Sequence, residues 1–154
     1  MKLKSLLSRR KRDRRFGRRL PQSIKEIVRV AEARALELGH DYFSLSHLVL
    51  AVLGGTAPTL EAELRRKGID VERIVERIEL ALGQRSDGVA SDRRSRSGDL
   101  PVTSRTRSVV ELVAGLDRSP GRPPRLLLLI ILATDLPPAD ILRDEGLTLG
   151  KLDD

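Results

Sequence analysis

Between residues 23 and 82 the apolar side chains recur at helical spacing in four successive blocks. In the first block Ile24, Ile27, Val28, Ala31, Ala35 and Leu38 fall on one face of a 3.6-residue repeat. Ser23 is placed to cap that helix, with Glu26 three residues on to complete a capping box, and Gly39 is a natural stop. A short connection, His40–Asp41–Tyr42–Phe43, leads to Ser44 or Ser46 as the cap of a second helix. Its Leu48, Val49, Leu50, Val52 and Leu53 are apolar nearly all round, which predicts a central, buried position before Gly54–Gly55 ends it. A third helix starts near Pro58–Thr59, where proline suits the first turn, carries Leu60 and Leu64, and stops at Gly68. Asp70 caps a fourth. Ile69 before the cap and Ile74 after it form a hydrophobic staple, and Val71, Ile74, Val75, Ile78 and Leu82 make the buried stripe up to Gly83.

Residues 84–100 break this pattern. They are rich in Ser, Gly, Asp and Arg, with only Val89 and Leu100 apolar, and read as a flexible linker. Residues 101–154 then echo the first half. Thr103 caps a helix with Val109, Val110, Val113 and Leu116 on its apolar side. Leu126 to Leu132 matches the helix at Leu48, and Asp135 to Glu145, with Leu142, matches the third helix. Gly146–Leu147–Thr148–Leu149 stands 78 residues after Gly68–Ile69–Asp70–Val71, whereas Val109 stands 82 after Ile27. The difference is about one helical turn. The loss falls around Asp117 to Arg125, where Ser119–Pro120–Gly121–Arg122–Pro123–Pro124 replaces the loop of the first copy. At Asp154 the fourth helix of the second copy is only starting. The expected fold is all-α: a tandem repeat of two four-helix units, the second degenerate. Its parts are a basic arm at 1–22, a first repeat at 23–83, the linker at 84–100 and a shortened second repeat at 101–154.

Composition supports the helical class. Phe16, Tyr42 and Phe43 are the only aromatic residues, so Leu, Ile, Val and Ala must fill the core. With no cysteine, disulfides, thiol catalysis and Cys-ligated zinc are excluded. That fits a reducing cytoplasm, where the protein is expected. Leu6–Leu7 is too short an apolar region for a secretory signal, and the seven residues Leu126 to Leu132 fall far short of the ~20 needed for a membrane span.

Charge divides the chain unevenly. Residues 1–20 hold ten Lys/Arg against one Asp, while the other 134 residues hold 19 basic and 21 acidic side chains. The net charge of +7 therefore belongs to the arm. Arg9, Arg10, Lys11, Arg12, Arg14, Arg15, Arg18 and Arg19 form a candidate anion-contacting segment for non-specific nucleic acid or another anionic surface. The plain alternatives are a solubilising tail or a start site placed too far upstream. Arg93, Arg94 and Arg96 are a weaker version of the same signal in the linker.

Candidate chemistry is sparse. His40 and His47 are the only histidines, seven apart across a loop, with no Glu-x-x-His spacing and no third ligand nearby. They read as structural rings that hydrogen-bond a helix terminus, and neither a metal nor a cofactor is expected. Ser46 lacks the G-x-S-x-G setting of a nucleophile elbow. Glu32 and Glu37 with Arg29 and Arg34 read as a solvated helix face with weak ion pairs. No catalytic residue emerges, and the chain is read as no enzyme. Tyr42 and Phe43, two aromatics in one loop of a chain almost without them, are candidate anchors for a peptide, together with Ser46 and His47; core packing is the competing account.

The stretches Ala31–Glu32–Ala33–Arg34–Ala35, Leu38–Gly39–His40–Asp41–Tyr42 and His47–Leu48–Val49–Leu50–Ala51–Val52–Leu53 resemble the N-terminal domain of the Clp ATPases, the bacterial unfoldases that feed proteases or disaggregate proteins. In that family the stretch reads roughly A-x-x-E-A-x-x-L-G-H-x-x-I-G-T-E-H-L-L-L-G-L-L. The resemblance covers residues 23–149, closely in the first copy and loosely in the second. It implies a pseudo-twofold bundle that docks a substrate segment, an adaptor or Clp components in the groove between the copies and performs no chemistry. The family's ATPase modules have no counterpart here: Gly150–Lys151–Leu152 lacks the upstream glycine and the hydroxyl residue of a phosphate loop. The resemblance thus implies a stand-alone or truncated member; small members of the family are thought to sequester ligands of the full-length unfoldase. Where family members that recognise phosphoarginine carry the Glu of T-E-H, this chain has Ser46, and the second copy has Pro124–Arg125 in that neighbourhood. A hydroxyl or a cation cannot replace a carboxylate that receives a guanidinium, so phosphoarginine binding is expected to be weak or absent. The rival reading is a nucleic-acid-associated helical protein that uses the basic arm. A third is a degenerate domain kept for oligomerisation or structure.

Overall fold

The computed structural model describes residues 20–85, 102–116 and 122–153. The described residues form eight helices and no strand, apart from one isolated parallel bridge between Phe43 and Val102. The arm cations Arg9 to Arg19, the linker arginines Arg93, Arg94 and Arg96, and the loop Ser119–Pro120–Gly121 lie outside them.

Helix α1 spans Gln22–Glu37. It begins two residues earlier than Ser23 would set it. Pro21, with φ −55° and ψ 151°, is the N-cap residue, and its carbonyl accepts the N–H groups of Ile24 and Lys25 at 3.0 and 2.9 Å. Ser23 is thereby left exposed inside the first turn, and Glu26 turns to Arg29 (2.5 Å) instead of closing a capping box. Leu20 ahead of the cap is buried.

Helix α2 (Leu45–Ala51) runs into a π-helical turn, Val52–Thr56. Every residue from His47 to Leu53 is buried, as expected of a helix apolar on all sides. Gly55 ends the turn at φ 121°. The buried Glu61 carboxylate accepts the Gly55 N–H at 2.8 Å, and Thr56 Oγ1 donates to the Ala51 carbonyl at 2.7 Å. These bonds satisfy backbone groups that the π distortion frees.

Helix α3 (Pro58–Arg66) and helix α4 (Val71–Arg85) follow. Asp70 caps α4 as its type and position dictate, with Oδ1 accepting the Arg73 N–H at 3.1 Å. The staple residues Ile69 and Ile74 are both buried. Helix α4 runs two residues past Gly83, which is exposed and costs a helix interior only ~1 kcal/mol relative to Ala.

Helix α5 (Ser104–Leu116) is capped by Thr103, whose Oγ1 accepts the Thr106 N–H at 3.4 Å. Helix α6 spans Arg122–Leu132. Pro123 and Pro124 belong to its first turn rather than to a loop, and both are buried. First-turn N–H groups have no intrahelical acceptor, so two prolines there remove no bond. Helices α7 (Pro137–Asp144) and α8 (Leu149–Asp153) complete the described chain.

The core is continuous across both halves. Helix α2 packs most extensively on α1 and also meets α4 and α7, while α6 packs on α1, α5, α7 and α8. Helix α6 is less enclosed than α2: Leu127, Leu128, Ile131 and Leu132 are buried, but Leu126, Leu129 and Ile130 only partly so. Polar ties sit at the rim of this packing. Arg125 of α6 bonds Glu63 of α3 and the Leu152 carbonyl of α8, and Lys67 after α3 pairs with Glu63 at 3.1 Å and reaches the Lys151 carbonyl. From α4, Arg73 and Arg77 reach Glu145 at 3.0 and 2.9 Å, and Arg77 reaches Asp144 at 3.3 Å. Cations at the last carbonyls of α8 complement the helix dipole.

Hydrogen bonds from Arg125 first, then Lys67, hold the Glu63 carboxyl below its usual range. A lowered carboxyl pKa adds stability that is present above the unfolded value and is lost as pH falls through the folded one. Glu63→Gln is therefore expected to lower the urea midpoint at pH 7 and to flatten the loss of stability below pH 4.5. Equal acid sensitivity in both proteins would contradict the tie. Leu127→Ala, at a fully buried site of α6, is expected to cost about 2–5 kcal/mol in the same urea series.

Candidate functional site

The elbow between α1 and α2 gathers the residues that the sequence singles out. Helix α1 ends in a paired-bond stop: Gly39 N–H donates to the Leu36 carbonyl at 3.0 Å and His40 N–H to the Ala35 carbonyl at 2.9 Å. That geometry needs φ near +78° at Gly39, a conformation open to glycine at no steric cost. The chain then turns through 40–43 and enters α2 at Ser44, an extended residue (φ −130°, ψ −179°). Ser44 is the cap and Ser46 is not.

The partner of that cap is His47. Ser44 N–H donates to His47 Nδ1 at 2.9 Å, and the Ser44 hydroxyl lies 3.1 Å from the same nitrogen. A backbone N–H can only donate, so Nδ1 carries no proton and the ring is the Nε2–H tautomer. His47 Nε2 lies 2.9 Å from His40 Nδ1 and therefore donates to it. His40 in turn must carry its own proton on Nε2, which is buried and has no hydrogen-bond partner among the described residues. The order of bonds is thus fixed: Ser44 N–H to His47, and His47 N–H to His40. Both rings are buried, His40 at 5% exposure and His47 at 0%. Burial first, then the neighbouring His40, pushes the His47 imidazole down to about 4 from its usual 6.5.

Tyr42 leans on both imidazoles, stacked on His40 with centroids 5.8 Å apart and edge-on to His47 at 5.9 Å. It is half-buried, as is Ser46. Phe43 differs from its neighbour. It is fully buried in the core, and its carbonyl accepts the Thr103 N–H at 3.4 Å beside the bridge to Val102. The elbow therefore splits the four candidate contacts. Tyr42 and Ser46 keep an accessible edge, whereas Phe43 and His47 are enclosed by the protein. On α1, Arg34 engages Glu37 at 3.0 Å and also Glu79 of α4. The link to α4 was not legible in the chain, because nothing local brings residues 45 apart in sequence together.

Among the described residues no group of three or more His, Asp or Glu side chains is arranged to hold a metal ion. No helix there is long and apolar enough to cross a membrane. No protein-family model matches the chain, and no curated protein matches it.

The split at the elbow has a measurable consequence. Phe43→Ala is expected to destabilise by about 3–5 kcal/mol, the cost of emptying a fully enclosed aromatic site, as read from urea denaturation. Tyr42→Ala removes a half-exposed ring and should cost less than half as much. Equal losses at the two positions would mean that Tyr42 is a core residue and no surface anchor.

Proposed function

We propose that this chain is a non-catalytic protein-binding module of the Clp N-terminal-domain type, built as two four-helix units around an approximate dyad, and that it docks an unfolded segment, an adaptor or another ligand of a Clp unfoldase system. The observation that carries this reading is a repeated helix stop. At the end of α3, Gly68 N–H donates to the Arg65 carbonyl and Ile69 N–H to the Leu64 carbonyl; at the end of α7, Gly146 donates to Arg143 and Leu147 to Leu142. Both glycines have positive φ, 83° and 89°. Each residue of the second stop lies 78 positions after its counterpart, and the helices that follow start at Val71 and Leu149, again 78 apart. Two stops with the same bonds in one register, in a body whose regular elements among the described residues are all helices, support a duplicated unit of the kind the resemblance implies.

The proposed contact surface is the exposed edge of the elbow, with Tyr42 as its aromatic anchor and Ser46 beside it. An aromatic ring backed by buried imidazoles loses little conformational freedom when a peptide covers it. Ser46 supplies a hydroxyl where a guanidinium-binding site needs a carboxylate, so the module takes unmodified peptide in preference to phosphoarginine.

A fluorescently labelled unfolded polypeptide tests this reading by anisotropy at 50 and 200 mM salt. The full chain and a chain lacking residues 1–19 are expected to bind with Kd values within about threefold of each other. Tyr42→Ala should weaken binding by about tenfold or more, the threshold of a hot-spot residue. If binding disappears with residues 1–19 and falls by ~10³ between the two salt conditions, the protein acts through its basic arm on anions instead.

A further inference from the structure

We propose that the His40–His47 pair is an acid-sensitive latch, which holds the α1–α2 elbow closed and ties it to the start of α5. The pair has two acceptor nitrogens, and both are in use. His47 Nδ1 takes the Ser44 N–H, and His40 Nδ1 takes the His47 Nε2–H. An added proton has only these two places to go. On His47 Nδ1 it faces the Ser44 N–H donor and breaks the cap of α2. On His40 Nδ1 it faces the His47 Nε2–H and breaks the bond between the rings. Transferring the shared proton does not rescue the pair, because His47 would then present Nδ1–H to the Ser44 N–H. The pair can therefore gain a charge only by giving up one of its bonds.

A charged imidazole finds one neutral acceptor, the Ser44 hydroxyl 3.1 Å from His47 Nδ1, and among the described residues no carboxylate bonded to either ring. The side chain in ring contact with both is Tyr42, which brings no carboxylate to them. Of the charged groups on the packed elements, Arg34 on α1 is engaged with Glu37 and with Glu79 of α4, and Arg77 on α4 with Asp144 and Glu145 at the end of α7. Asp41 in the elbow itself is exposed. The depressed His47 value follows from burial and from His40, both of which oppose the charge.

The latch also has a lever. Three residues separate His40 from Ser44, and among them Phe43 is locked in the core while its carbonyl holds Thr103, the N-cap of α5. Opening the rings loosens the turn that presents Phe43, and with it the bridge to Val102. This is independent of what the elbow binds.

Linkage gives the direction and the pH window. A histidine whose folded value lies below 6.5 binds its proton more readily in the unfolded chain, so the native state is favoured above pH 6.5, loses stability as pH falls, and levels off near 4. The unfolding constant is expected to rise on the order of tenfold between pH 7 and pH 5. The chain has two histidines, so nitrogen NMR of the imidazoles reads the pair directly. The His47 ring should stay neutral below pH 6.5, and the Ser44 and Thr103 amides should exchange faster at pH 5 than at pH 7, after correction for intrinsic rates, by a factor larger than that of the Ile78 amide of α4, which follows global unfolding. A His47 ring titrating near 6.5 with those two amides changing no more than Ile78 overturns the proposal. His47→Gln should flatten the pH 7 to 5 change in stability; a folded variant with the wild-type response overturns it too. Should that variant not fold, the wild-type titration decides alone.

Discussion

The packing of this body is centred on one short helix, α2, which is covered on every side from His47 to its end. From His47 onward helix α2 has no polar face to turn outward, and burying a Leu, Ile or Val side chain stabilises by about 1.5–3 kcal/mol each. A seven-residue helix cannot stand alone in water. Its stability comes from neighbours, and the neighbours come from both halves of the chain: α1 and α4 from the first, α7 from the second. The two halves therefore have a reason to fold together, and the single continuous core follows from it.

The same constraint explains why the polar groups that remain inside are so tightly ordered. His40, His47, Glu61 and Thr106 are the buried polar or charged side chains among the described residues. Each of the last three bonds a backbone or side-chain group that marks the start or end of a helix: His47 the cap of α2, Glu61 the π-helical turn, Thr106 the Thr103 cap of α5. Their role is to finish backbone hydrogen bonding where the helices stop, which a purely apolar core would leave undone. His40 is the exception, with its Nε2 buried and unpaired among the described residues.

Helix existence was legible because it rests on periodic burial. The Ile24 to Ala35 stripe, the all-apolar Leu48 to Leu53 run and the Asp70 cap all lie where their spacing puts them. Boundaries were less legible, because they depend on local competition. Pro21 captured two N–H groups and displaced Ser23 as the cap, Gly83 was absorbed into α4, and Pro123–Pro124 looked like a loop yet sit where a helix has N–H groups to spare. At the elbow, sequence placed both histidines at a helix terminus but could not rank Tyr42 against Phe43. That distinction is set by Val102 and Thr103, some 60 residues away, which fix Phe43 inward and leave Tyr42 at the surface. The ties of Arg125 to Glu63 and of Arg77 to Glu145 were equally invisible, since they join segments more than sixty residues apart.

The proposed role asks that the face beside the elbow grip other polypeptides while the basic arm stays incidental. A titration of the isotope-labelled protein with an unfolded polypeptide, followed by amide chemical shifts at physiological salt, separates the two most directly. Shifts centred on Tyr42 and Ser46 and extending to the neighbouring first turn of α5 are the predicted result. Shifts confined to residues 1–19, with the elbow amides unmoved at saturation, would contradict it.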